Sequence, residues 1–296
     1  MRPAIIASIH LLLLLVLLAR ASNAVPYANF AVTTCQPPMW TDSPTTIRLT
    51  TEFVRYDVNV EETSVYDKPF HAFLVQFNEL SHKGWGLHVL RARVSGTNVL
   101  YTGVWRRTQI PEETVFGLEW PAFWAQFTKL WWEGWRLEIL TQYVLNDKVY
   151  FSAVWRKPMI SVDEVRVFGW KFNNFKAKYD AIRPQNWRLH ILDTYVVNDE
   201  VFYSAVWRRS DATEIQVYSV NLETYTAKYT ALWPLGYQLH IINQNIVKGV
   251  SLYTAVWRHT GGGASRVDGE NWINFKIVYT NLWCSGWRIN QLAVEN

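Results

Sequence analysis

Five polar residues recur at one register of this 296-residue chain: His88, Glu138, His190, His240 and Asn290, each three positions after an aromatic residue. Three imidazoles and a carboxylate are zinc-ligand types, but a metal demands that they converge to about 2 Å from one ion. A neighbouring set, Gly86, Arg136, Arg188, Gln238 and Arg288, runs beside the first and would share any small polar ligand with it. Repetition itself weighs against catalysis. A nucleophile or a metal site is singular, whereas a polar strand face repeated around a ring makes a circle of side chains automatically. The two sets therefore read first as the polar lining of a solvated passage and second as a small-ligand site. No metal and no cofactor is expected. Ser152, Ser204, Thr102 and Thr254 are repeat-equivalent in the same way. No Gly-x-Ser-x-Gly, phosphate loop or His-Glu-x-x-His occurs. No enzymatic activity is expected.

Two further sets bear on binding. Arg106, Arg156, Arg208 and Arg258 each end a Val-Trp-Arg segment. They read as structural arginines that stack on aromatics and hydrogen-bond to neighbouring backbone, with anion recognition as the alternative. Trp131, Trp233 and Trp283 share the position just past a helix core, with Trp132 beside the first, while Ser81 and Arg183 stand there in the other units. A position that accepts Ser and Arg is not obligatory core. These indoles either pack between units or lie exposed, where they suit sugar-ring stacking or a protein contact.

The elements that carry these residues repeat. Aromatic markers fall at Trp85, Trp135, Trp187, Tyr237 and Trp287, spaced 50, 52, 50 and 50 apart. Upstream of each lies an apolar quartet with offsets 0, 3, 7 and 10, such as Phe172, Phe175, Tyr179 and Ile182. Those offsets make one stripe of a short surface helix. Gly84, Gly134, Asn186, Gly236 and Gly286 follow as left-handed C-caps. The period then changes to two, as in Trp187 to Ile191, so a strand with one inward face begins. Turn residues Ser95-Gly96, Asn146-Asp147, Asn198-Asp199 and Lys248-Gly249 lead into a second strand, and the pair makes a hairpin. A shorter run before each helix, Val165 to Phe168 or Ile215 to Tyr218, adds a third strand.

The expected fold class is α+β: five helix–β-hairpin repeats of about 50 residues in a closed, propeller-like ring, with an open α/β superhelix as the alternative. Units run over about 69–118, 119–168, 169–220, 221–270 and 271–296. The last has a helix and one strand. A strand from residues 25–68, with Tyr27 to Val32 as the candidate, is expected to complete it, the rest of that segment being surface extension. Cys35 and Cys284 are the two cysteines, and a bridge between them would lock such a closure.

Residues 1–24 read as a signal peptide: Arg2, an apolar run through Leu11 to Leu18, and small residues Ser22 and Ala24 before the cleavage point. The mature chain is thus expected to be secreted, extracellular and without a membrane span. Removing Arg2 and Arg20 leaves 27 basic against 25 acidic residues, spread evenly. That balance argues against nucleic acid as a partner.

Helix, Gly-Trp-Arg-Leu strand and Tyr-x-Ala-Val-Trp-Arg strand, best seen in Phe175 to Leu189 with Tyr203 to Arg208, resemble the structural repeat of the polyglycine hydrolases. The resemblance covers almost the whole mature chain and implies the fold and a secreted role. In that family a serine-hydrolase domain of β-lactamase type, with a Ser-x-x-Lys nucleophile motif, follows the repeats. This sequence contains no Ser-x-x-Lys, so the protease activity is not expected here. The expected function is a non-enzymatic scaffold binding an extracellular polysaccharide or another secreted protein. A self-assembling matrix or filament protein is one alternative, and a hydrolase using the central polar circle is another.

Overall fold

Each period folds as strand, helix, strand, strand, so the structural unit begins one strand before the helix. The structure, a computed structural model, describes residues 47–55 and 60–295, all within the unit Gln36–Asn296. The first strand, β1, is Arg48–Arg55. The first repeat then comprises β2 (Glu62–Pro69), α1 (Phe70–His82), β3 (Trp85–Ser95) and β4 (Asn98–Arg107). The second comprises β5 (Glu112–Glu119), α2 (Trp120–Trp132), β6 (Arg136–Leu145) and β7 (Lys148–Arg156). The third is β8 (Glu164–Lys171), α3 (Phe172–Ile182), β9 (Trp187–Val197) and β10 (Glu200–Arg209). The fourth is β11 (Glu214–Val220), α4 (Leu222–Leu232), β12 (Tyr237–Val247) and β13 (Val250–His259). The fifth has β14 (Ala264–Asn271), α5 (Trp272–Cys284) and β15 (Trp287–Val294).

Among the described residues these strands form five separate three-stranded antiparallel sheets and no barrel. In four of the sheets the strand that carries Val-Trp-Arg lies in the middle, as in β8-β10-β9. The fifth sheet is ordered β14-β1-β15, so its middle strand comes from the start of the described chain. That strand is Arg48–Arg55, from a stretch expected to be surface extension. Tyr27 to Val32, the expected candidate, lies outside the described residues.

Local chemistry explains the elements. The quartet stripes bury Phe123 and Phe127 in α2, Phe175 and Tyr179 in α3, and Tyr225 and Tyr229 in α4. All five predicted caps have positive φ, Asn186 at 63° among them. The turns Asn146-Asp147, Asn198-Asp199 and Lys248-Gly249 have positive φ at both residues, which matches the right-handed strand twist.

Register gives Val-Trp-Arg its meaning. Trp207 packs in the core of its own unit against Phe175 and Tyr179. Val206 belongs to the core of the preceding unit, with Phe123 and Trp155. Val104 does the same across a longer span of sequence, packing with Phe275 and Leu292 of the fifth unit. Val154 packs with the first unit and Val256 with the third. In β1 the corresponding residues are Glu52, Phe53 and Val54, paired with the Arg266, Ser265 and Ala264 of β14.

Every sheet carries two β-bulges that the alternating pattern conceals. On the outer strand two residues face one Ser or Thr of the middle strand, and the second of them has positive φ: Asp67, Gly117, Gly169, Ser219 and Gly269. Each of their N–H groups donates to that hydroxyl, on Thr102, Ser152, Ser204, Thr254 and Thr50 respectively. The equivalent serines and threonines are bulge acceptors. The second bulge lies on the inner strand.

Candidate functional site

The extra residue of the inner-strand bulge is His88, Glu138, His190, His240 or Asn290. In β9, Leu189 pairs with Trp207 and Ile191 with Val206, leaving His190 unpaired between them, and the other four sheets repeat this. A bulge re-aims its extra side chain, and here it turns it into the junction between units. His190 Nε2 meets Glu138 Oε2 at 3.0 Å. His240 Nε2 donates to the Leu189 carbonyl at 3.1 Å, and Asn290 Nδ2 to that of Leu239 at 2.7 Å. His88 faces the backbone of Ile289 and Asn290.

These contacts fix the charge states. Burial, followed by Arg106 and Arg156, lowers His88 to about 3. Burial, then Arg258 and His190, takes His240 to about 3 as well. Burial also lowers His190, against the pull of the Glu138 carboxylate. Burial alone would raise Glu138, but the His190 hydrogen bond and Arg208, whose Nη1 lies 2.9 Å away, outweigh it and hold its carboxyl at about 2. Among the described residues no group of three or more His, Cys, Asp or Glu is placed to hold a metal ion.

The second set works on the inter-unit linkers. Arg136 donates to the carbonyls of Val162, Trp131 and Trp135, which joins a helix end to the start of the next unit. Arg188 does so with Ala212, Arg183 and Trp187, and Arg288 with Val60, Trp283 and Trp287. Gln238 Nε2 donates to Gly263. At Gly86 a Cβ would meet the Glu112 carboxylate at 2.6 Å. The Arg136 and Arg288 guanidinium groups also lie over the rings of Trp131 and Trp283, at 3.8 and 3.6 Å, so those two indoles are partnered within the fold. Trp233 is exposed on one side and donates its Nε1–H to Ala264.

The Val-Trp-Arg arginines latch one unit to the one before. Arg208 pairs with Glu164 at 2.6 Å and donates to the Leu137 carbonyl at 2.9 Å. Arg156 repeats this with Glu112 and Leu87, Arg258 with Glu214 and Leu189, and Arg106 with Glu62 and Ile289. Arg106 and Ile289 lie in the first and fifth units. Between the fifth and fourth units Asn290 takes the arginine's role and Glu52 the carboxylate's.

Sequence reasoning missed two features. The first is an aromatic strip on the second unit. Trp120 and Trp124 stack with centroids 5.4 Å apart and remain 42% and 41% exposed, and Trp132 is 81% exposed. Trp120 holds the first quartet position, but the repeat does not require Trp124, since Leu74, Lys176, Thr226 and Lys276 stand there in the other units. The second is a recess lined by all five inner strands, with Arg91, Gln142, Asp193, Asn243 and Gln244 among its residues. The available signal was unlike residues at positions flanked by uniform apolar ones, Leu90, Leu140, Leu192, Ile242 and Leu292.

A family model described as a polyglycine hydrolase-like structural repeat matches residues 71–108, 110–158 and 168–210. These three matches cover most of the first three units, and the fourth and fifth share their architecture. No curated protein matches the chain significantly.

Proposed function

We propose that this array of polyglycine hydrolase-like structural repeats is a secreted, non-enzymatic scaffold, closed as a propeller-like ring, that binds an extracellular polysaccharide. Closure is supported by contacts that every unit makes with the one before it, the first with the fifth included: Val104 packs beside Phe275, and Arg106 donates to Ile289 at 2.5 Å. It is supported further by Arg91 of the first unit, which donates to carbonyls of Leu292 in the fifth and Ile242 in the fourth. An open superhelix gives these residues no common partner. Secretion is supported by the signal-like residues 1–24. The bridge from Cys35 to Cys284 is supported by the absence of a free cysteine among the described residues.

The observation that carries the binding function is the Trp120–Trp124 pair. Two stacked indoles, each about 40% exposed, are costly to hydrate, and the repeat does not account for Trp124. Flat rings of this kind stack on the C–H faces of sugars while their edges stay wet. A non-catalytic role is supported by the polar circle, whose members bond across unit junctions to one another or to backbone and include no nucleophile. The test is a glycan array with the mature protein and its Trp124→Ala variant. Binding to a polysaccharide that falls at least tenfold in the variant is expected. Equal binding by both would remove the aromatic strip from the site, and concentration-dependent assembly without glycan binding would favour a matrix protein.

A further inference from the structure

Arg91, Thr141, Asp193, Asn243 and Ala293 occupy one register in the five units, yet no two are alike. Together with Ala92, Gln142, Gln244 and Val294 they line the half-open recess where the inner strands meet. Arg91 reaches across it. Its Nε donates to Leu292 at 2.8 Å, its Nη2 to Ile242 at 2.9 Å, and its Nη1 lies 3.9 Å from Asp193 Oδ1. Asn243 donates to the Leu192 carbonyl, and Gln244 accepts through Oε1 from Thr50.

Four polar atoms are left without a partner among the described residues: Asp193 Oδ2, both amide atoms of Gln142, and Gln244 Nε2. The residues are buried, Gln142 at 2% exposure and the other two at 4%. One unsatisfied buried group costs about 1–3 kcal/mol. Four in a single recess point to a guest.

The charges decide its chemistry. Arg91 and Asp193 stand side by side, so a cation entering would meet the guanidinium and an anion the carboxylate. The open atoms are two acceptors and two amide donors. A hydroxyl both donates and accepts, so two adjacent hydroxyls answer all four. Ala92, Ala293 and Val294 supply an apolar wall beside them.

We propose that this recess binds the vicinal diol of a neutral sugar or polyol, Asp193 Oδ2 and Gln142 Oε1 accepting from its hydroxyls and the Gln142 and Gln244 amides donating to them. The site is separate from the tryptophan strip and stands without it.

The test titrates the full chain at pH 8, where Asp193 is ionised, with myo-inositol and methyl glucoside, and with sodium acetate and ammonium chloride as charged controls, followed by chemical shifts of the recess residues. Saturable binding of the neutral probes in the millimolar range is expected, weakened at least tenfold by Gln142→Leu and by Asp193→Asn, and unchanged by Trp124→Ala. The Gln142 amide has no partner within the fold, so Gln142→Leu should unfold at the same or higher denaturant concentration, which separates lost binding from lost structure. No saturation by about 0.1 M probe, a range that already excludes useful millimolar affinity, overturns the proposal. Undiminished binding by Gln142→Leu, or binding of acetate or ammonium in place of the polyols, overturns it as well.

Discussion

Glu52 receives the backbone N–H of Leu239 at 2.9 Å on each carboxylate oxygen, and the two residues belong to β1 and to the fourth unit. Tyr229 and Asn290 donate to the same carboxylate, both at 2.8 Å. Glu214 does this for Leu189 at 3.3 Å from an outer strand, and Glu62 does it for Ile289. In the fifth sheet Ala264 stands at that outer-strand position, so the middle strand supplies the acid. Burial raises Glu52 to about 7 against the pull of its donors. The folded chain thus keeps a proton that the unfolded chain releases between its ordinary value, 4.5, and 7. This contribution is full below pH 4.5 and is lost as pH rises through 7, an upper bound of about 3 kcal/mol. Asp193, raised to about 7 by burial, acts in the same direction. The lowered His88 and His240 act in the opposite direction, so the reading is a difference in slope: from pH 5 to pH 8 the urea midpoint should fall more, or rise less, in the native chain than in Glu52→Gln. An unchanged slope in the variant would exclude Glu52 as its source.

The latch has a natural replacement within the same molecule. Arg208 and Glu164 are paired across β10 and β8, whereas Val54 and Ala264 occupy the matching positions of β1 and β14. Arg208→Val leaves the buried Glu164 carboxylate, Glu138 and the Leu137 carbonyl without their donor, which should cost about 3–5 kcal/mol. Arg208→Val with Glu164→Ala installs the fifth sheet's pair and removes the Glu164 charge, leaving Glu138 and the Leu137 carbonyl without their Arg208 contacts. The double variant should lose less than the sum of the singles by about 2 kcal/mol or more, read from denaturant midpoints in a double-mutant cycle. Strict additivity would show that the two side chains are not coupled.

Ser204 separates the structural from the catalytic reading of the recurring hydroxyls. It accepts from Gly169 N–H at 3.0 Å, and Thr254 accepts from Ser219 N–H at the same distance. Ser204→Ala and Thr254→Val should each cost about 1–3 kcal/mol, because each strands one bulge N–H. Thermal unfolding of the two variants reads this directly. A loss confined to Ser204 would contradict their equivalence.

The period, the helices, the caps and the turns were legible because each is set by neighbours within a few residues. Phe175, Tyr179 and Ile182 declare a stripe, and Asn186 declares a left-handed exit. The bulges were not legible. Whether His190 pairs or projects depends on its strand running one residue longer than its partner, which alternation does not encode. β1 escaped for a related reason: Glu52, Phe53 and Val54 replace Val-Trp-Arg, and only the absence of a glutamate at Ala264 accounts for the change. Repeat markers were equally blind to the recess at Arg91 and Asp193, since its residues differ from unit to unit.

The fifth sheet allows strand and staple to be told apart. Phe53 is buried against Phe275 and Tyr279, with ring centroids 6.3 and 5.8 Å away, so Phe53→Ala opens a cavity in the last core. It should cost about 3–5 kcal/mol whether or not the cysteines are joined. A Cys35–Cys284 bridge closes a loop of nearly the whole chain and adds about 5 kcal/mol in the chain-entropy model. Reductant, or Cys284→Ser, should then lower the denaturant midpoint while leaving the far-ultraviolet circular dichroism of the folded state unchanged, because β1 stays hydrogen-bonded between β14 and β15. If reductant moves neither the midpoint nor the mass measured after thiol alkylation, no bridge exists and β1 alone holds the fifth sheet. If Phe53→Ala leaves the midpoint in place, β1 is not part of the core.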